Sequence, residues 1–79
     1  MDDMLAIFAW TEVDPDSGEG VITTMMPALD NRLCNLQSRK LEVAQQLRPL
    51  AEAHHRATGH RVRLVRFLRD DVLEDIPGI

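Results

Sequence analysis

The chain has 79 residues, 44% hydrophobic, 28% charged and only 4% aromatic, with a formal net charge of −4. Such a length makes one small domain, burying roughly 60–65% of the surface its unfolded form exposes, and a single cysteine, Cys34, excludes an intramolecular disulfide. The acidic start Met1-Asp2-Asp3 is unlike a basic secretory leader, and the apolar run Met4 to Trp10 is far too short to cross a bilayer, so the expected setting is cytoplasmic with no membrane contact.

Met4 to Val13 is apolar, β-branched and aromatic, which predicts a first strand. Leu5, Ile7 and Ala9 fall on one face and Ala6, Phe8 and Trp10 on the other. A strand apolar on both faces is central in its sheet, or presents one face to a partner. Asp14 to Gly20 is a dense turn signal. Val21 to Met26 then reads as the second strand of a hairpin, ended by Pro27. Residues 27–37 read as a connector with a short helical turn around Asp30 to Leu36.

Ser38 is a candidate N-cap, although Arg39 and Lys40 carry the wrong sign for a helix N-terminus. The helix is expected from Arg39 to Thr58, with Gly59 as its left-handed stop. Val43, Ala44, Leu47, Leu50, Ala51, His54 and Thr58 share one face, as in a helix lying on a sheet. Pro49 lacks an N–H and crowds the carbonyl of Gln45, which predicts a kink or break within a turn of it. Arg61 to Arg69 is the third strand, with Val62 and Leu64 on one face and Arg61, Arg63, Val65 and Phe67 on the other. The acidic tail from Asp70 to Ile79 spaces Val72, Leu73 and Ile76 as one helical turn would, or as a loosely docked segment. The expected fold is therefore α+β with the order ββαβ: a three-stranded antiparallel sheet, order 2-1-3, covered on one face by one kinked helix. The domain spans 1–69 and the tail 70–79.

Charge is segregated along the chain. Residues 1–30 carry a net −7, residues 31–69 a net +7 and residues 70–79 a net −4. The three segments can neutralise one another in the fold, or the basic middle can face an acidic partner.

No motif for catalysis or metal binding emerges. His54 and His55 are adjacent on a helix and point about 100° apart, so they cannot chelate one metal together. Glu52 pairs poorly with either, and Cys34 is distant in sequence. His54 reads as a half-buried core histidine and Cys34 as a buried thiol. Ser17 and Ser38 already have turn and cap roles, which leaves no nucleophile with a base. Gly18 and Gly20 form no phosphate-binding pattern, and Asp14, Asp16 and Glu19 lack the late glutamate of a calcium loop. No catalytic residue, cofactor or metal is expected.

Read together, Gly18-Glu-Gly-Val21, Leu47-Arg-Pro-Leu-Ala-Glu-Ala53 and Val62-Arg-Leu-Val-Arg-Phe67 resemble the small uncharacterised accessory proteins of actinobacteria and their phages. The resemblance covers most of residues 4–69, its motifs are structural, and it implies a compact accessory protein with no activity attached.

One helix covers one face of a three-stranded sheet, so the other face is expected as an exposed apolar patch, the usual mark of an interface. The expected role is a protein-interaction module without catalysis that binds and modulates a larger host or phage protein, or a second copy of itself. Its partner-binding residues are expected to be Phe8, Trp10, Arg61, Arg63, Val65 and Phe67, with Trp10 and Phe67 as aromatic anchors. The alternative is a nucleic-acid-binding accessory factor using the third-strand arginines, with Trp10 or Phe67 stacking on bases. The sequence pI of 5.2 argues against it.

Overall fold

The computed structural model describes residues 5–26, 30–69 and 73–78. The fold is α+β: antiparallel strands with two helices. Strand β1 (Ala6–Asp14) lies at the centre. Along one edge it pairs with β6 (Arg61–Leu68) over eight consecutive residue pairs. Along its other edge it pairs with β2 (Gly18–Val21) at its C-terminal end and with the two-residue β5 (Gln37–Ser38) nearer its N-terminal end. Between β2 and β5 the chain leaves as a separate hairpin of β3 (Thr23–Met26) and β4 (Arg32–Asn35).

The arm departs at a three-strand junction. The Ile22 N–H donates to the Trp10 carbonyl, the Trp10 N–H to the Leu36 carbonyl, and the Leu36 N–H to the Ile22 carbonyl, each at 2.9 Å. This closed ring satisfies the backbone of Ile22 and Leu36 although both are fully buried.

The expected ββαβ order with three strands is therefore replaced by two sheets, one four-stranded and one two-stranded. The strand expected from Val21 to Met26 starts earlier and is divided at Ile22. The expected connector with a helical turn near Asp30 to Leu36 is strand instead. Leu33 and Leu36 have helical spacing, but Asp30 and Asn31 take left-handed backbone, φ 55° and 57°, and turn the chain back along β3. Asn and Asp tolerate that region better than other side-chain-bearing residues.

The expected helix from Arg39 to Thr58 is two helices, α1 (Leu41–Gln46) and α2 (Arg48–Thr58), broken at Leu47. Pro49 sits in the first turn of α2, where its missing N–H would have no intrahelical partner anyway. Ser38 does not cap the helix. It lies in β5, and its hydroxyl accepts from the Lys40 N–H at 3.1 Å. Gly59 does stop α2, at φ 74°, with its N–H donating to His55.

The core is built from buried Ile22, Leu36 and Ala51, with Trp10, Met26, Leu47, Leu50 and Val62 packed against them. Ala44 and Ala51, both fully buried, let the helices come close to the sheet. Val43 and Thr58, expected on the buried face, are exposed. Beyond β6, residues 73–78 form no helix, and Leu73 and Ile76 are 95% and 83% exposed. Residues 70–72, with Val72 of the expected turn, lie outside the described residues.

Candidate functional site

The β1–β6 ladder fixes which side chains share a face, because strand side chains alternate. Phe8, Trp10 and Glu12 stand opposite Arg66, Leu64 and Val62. Ile7, Ala9, Thr11 and Val13 stand opposite Phe67, Val65, Arg63 and Arg61. Both helices lie on the first of these faces. The indole N–H of Trp10 donates to the Ala44 carbonyl of α1 at 2.7 Å, and Glu12 pairs with His54 of α2.

The set Phe8, Trp10, Val65 and Phe67 is thus split. Trp10 packs beneath the helices and Phe8 shares its face, which corrects the expectation of Trp10 as an exposed anchor. The physical reason is that both alternation classes of β1 are apolar, and the hydrogen-bonding indole is the side chain best satisfied against a helix carbonyl. Arg61, Arg63, Val65 and Phe67 do share one face, the one without helices.

That open face has a definite floor and rim. Ala9 and Thr11 are buried in its floor. Ile7 and Val65 are half-buried beside Phe67, which is 45% exposed. The Thr11 hydroxyl donates to Glu19 at 2.6 Å, and the Arg63 guanidinium grips the same carboxylate through Nε and Nη2. The Thr11 hydroxyl first, then Arg63 and the charge of Arg61, hold the Glu19 carboxyl below its usual range. Arg63 is consequently engaged within the domain. Arg61, Arg66 and Arg69 make no ion pair among the described residues.

On the helix side, Glu12 lies between two imidazoles. One carboxylate oxygen meets His54 Nε2, and the other meets His60 Nδ1 at 3.3 Å. His55 Nδ1 donates to the His60 carbonyl at 2.8 Å, fixing the turn between α2 and β6. His54 is half-buried as expected, but its pairing with Glu12 was not legible from sequence, since 42 residues separate the two. Cys34 is half-buried, not the buried thiol expected. Among the described residues no group of three His, Cys, Asp or Glu side chains is placed to hold a metal ion.

Between α2 and the start of β6 lies a cleft of about 390 Å³, lined by Trp10, Arg48, Ala51, Glu52, His55, Arg61 and Val62. Its chemistry is mixed: an indole and small apolar groups lie among His55, Arg61 and the ion pair of Arg48 with Glu52 at 3.5 Å. It was not foreseeable while Trp10 was placed on the opposite face. No described helix is long and apolar enough to cross a membrane. Compared with family models, curated proteins and solved structures, the chain matches none.

Proposed function

We infer that the chain is a protein-interaction module without catalysis, which binds and modulates a larger protein or a second copy of itself. The observation that supports this reading is the helix-free face of the sheet, where half-exposed Phe67 stands beside Ile7 and Val65 and is flanked by Arg61 and Arg63. An apolar patch rimmed by arginines has the composition of a recognition surface, since aromatic and arginine side chains dominate binding energy at interfaces. The nucleic-acid reading is weaker, because Trp10 is packed in the core and Arg63 is held by Glu19.

The test places a photo-crosslinking benzoylphenylalanine at position 67 in the cells that make the protein, and, as a control, at exposed Arg56 on α2. An adduct formed from position 67 and not from 56 is the expected result. An adduct of twice the 9.0 kDa chain identifies a self-partner, and a larger one a different protein. No adduct from position 67 overturns the reading, and so does an adduct to nucleic acid.

A further inference from the structure

We propose that the outer edge of β6, with the adjoining cleft under α2, takes up an extended acidic segment of a partner protein as an added strand. This rests on the reading of the chain as an interaction module and names the mode and partner chemistry.

Three features converge on this edge. The first is backbone. Trp10 directs its N–H and C=O to the β2 and β5 side, and the Arg69 N–H donates to Leu5, so odd-numbered residues of β6 exchange bonds with β1. The N–H and C=O groups of Val62, Leu64, Arg66 and Leu68 therefore point outward, and none is bonded among the described residues. An eight-residue edge of this kind is a template for strand addition.

The second is the cleft. An incoming strand beside Val62 would turn alternate side chains toward α2, over the cleft containing Trp10, Ala51 and Val62. A space of about 390 Å³ accommodates an apolar side chain there. Main-chain bonds along an edge supply affinity in this mode, and a pocket for alternate side chains supplies selectivity.

The third is charge. The strand and its continuation carry Arg61, Arg63, Arg66 and Arg69, with no acid between them. Two such edges brought together would repel, so the edge is guarded against pairing with its own copy. A segment that alternates carboxylates with apolar residues would set its acids beside Arg61 and Arg69 and its apolar side chains over the cleft.

The probe is a nine-residue, end-blocked peptide alternating glutamate and valine, titrated into the full chain and followed by amide hydrogen exchange. The expected result is slowed exchange at Leu64, Arg66 and Leu68, with Val65 and Phe67, already bonded to β1, little changed. A lysine–valine peptide should not bind. Arg61→Gln with Arg69→Gln should weaken binding at least tenfold. Arg66→Pro removes an outward donor and leaves the β1 ladder intact, so it should bind at least tenfold more weakly than Arg66→Gln. Intact circular dichroism of the proline variant is the condition for that comparison, and the exchange pattern of the wild type stands without it. Equal binding of the lysine peptide, or no binding of the glutamate peptide, overturns strand addition. A peptide that shifts Ile7 and Phe67 but leaves Leu64 and Arg66 unprotected also overturns it, while leaving the interaction-module reading to the crosslink at position 67.

Discussion

Trp10 and Phe67 lie on opposite faces of one antiparallel strand pair: Trp10 faces Leu64 beneath the helices, and Phe67 faces Ile7 on the side without them. Two of the three aromatic side chains are thereby assigned to different tasks, one to the core and one to the surface. Trp10→Ala should cost roughly 3–5 kcal/mol of folding stability, as aromatic truncations in a core do. Trp10→Phe should cost about 1 kcal/mol for the lost bond to Ala44. Phe67→Ala should leave the urea midpoint nearly unchanged and abolish association. Equal loss of stability from Trp10→Ala and Phe67→Ala would refute this division.

Glu12 is the single carboxylate between His54 of α2 and His60 before β6, so it ties both ends of that connection to the central strand. Its side chain is 24% exposed, which leaves the pairing only partly screened. Charge-assisted hydrogen bonds in such settings contribute about 1.5–3 kcal/mol. Glu12→Ala should therefore destabilise more than His54→Ala or His60→Ala alone. A double-mutant cycle between positions 12 and 54 should give a coupling of at least about 0.5 kcal/mol. A coupling of zero at neutral pH would show that Glu12 and His54 act independently.

Acid should weaken the β1–β2 hairpin in particular. The Asp16 N–H and the Ser17 side chain hold the Asp14 carboxyl below its usual 3.8. The Thr11 hydroxyl and Arg63 hold that of Glu19 below its usual 4.5. Lowered native values mean that the unfolded chain binds protons first. The stabilisation is complete above those usual values and is lost as pH falls through the lower native ones. Urea midpoints should fall on acidification, and Glu19→Gln should flatten that fall. An unchanged acid limb in Glu19→Gln would remove Glu19 as a contributor.

Pro49 breaks the helix without straining it, because it occupies the first turn of α2 after Leu47. Replacing it with alanine adds a donor but also frees the unfolded chain. At compatible positions proline stabilises by about 0.4–1 kcal/mol through the unfolded state. Pro49→Ala should therefore lower the melting temperature, contrary to the usual effect of removing a helix breaker. A higher melting temperature would mean that the break at Leu47 is strained.

The two strands of the β1–β6 ladder and the ends of α2 were legible because their signals are local: the apolar run of β1, the arginine alternation of β6, Pro49 and Gly59. The arm and the face assignment were not. Leu33 and Leu36 have a spacing that suits a helix turn, and only pairing across the hairpin makes them strand. The side of β1 that takes the helices depends on the Trp10–Ala44 bond, between residues 34 apart. Glu12, His54 and His60 come together only through that same choice of face, so the cluster could not be read before the topology was known.

The junction of Trp10, Ile22 and Leu36 also orders the stability of the molecule. Ile22 and Leu36 are buried to completion and close the ring of three backbone bonds, whereas the arm beyond them has Leu33 70% exposed and Met25 53% exposed. A two-stranded hairpin is marginal by itself, so β3 and β4 depend on this anchorage. Regions with few buried apolar contacts open at lower free energy than the core. Amides paired between β3 and β4 should exchange orders of magnitude faster than those paired between β1 and β6. Leu36→Ala should remove about 2–5 kcal/mol, which is comparable with the whole stability of a small domain, and so should unfold the entire chain. Leu33→Ala, beyond the junction, should leave the β1–β6 ladder intact. Arm amides that exchange as slowly as those of β1 would show that the arm does not open below the free energy of the core, and a Leu36→Ala variant that melts only the arm would show that the junction does not join the two sheets.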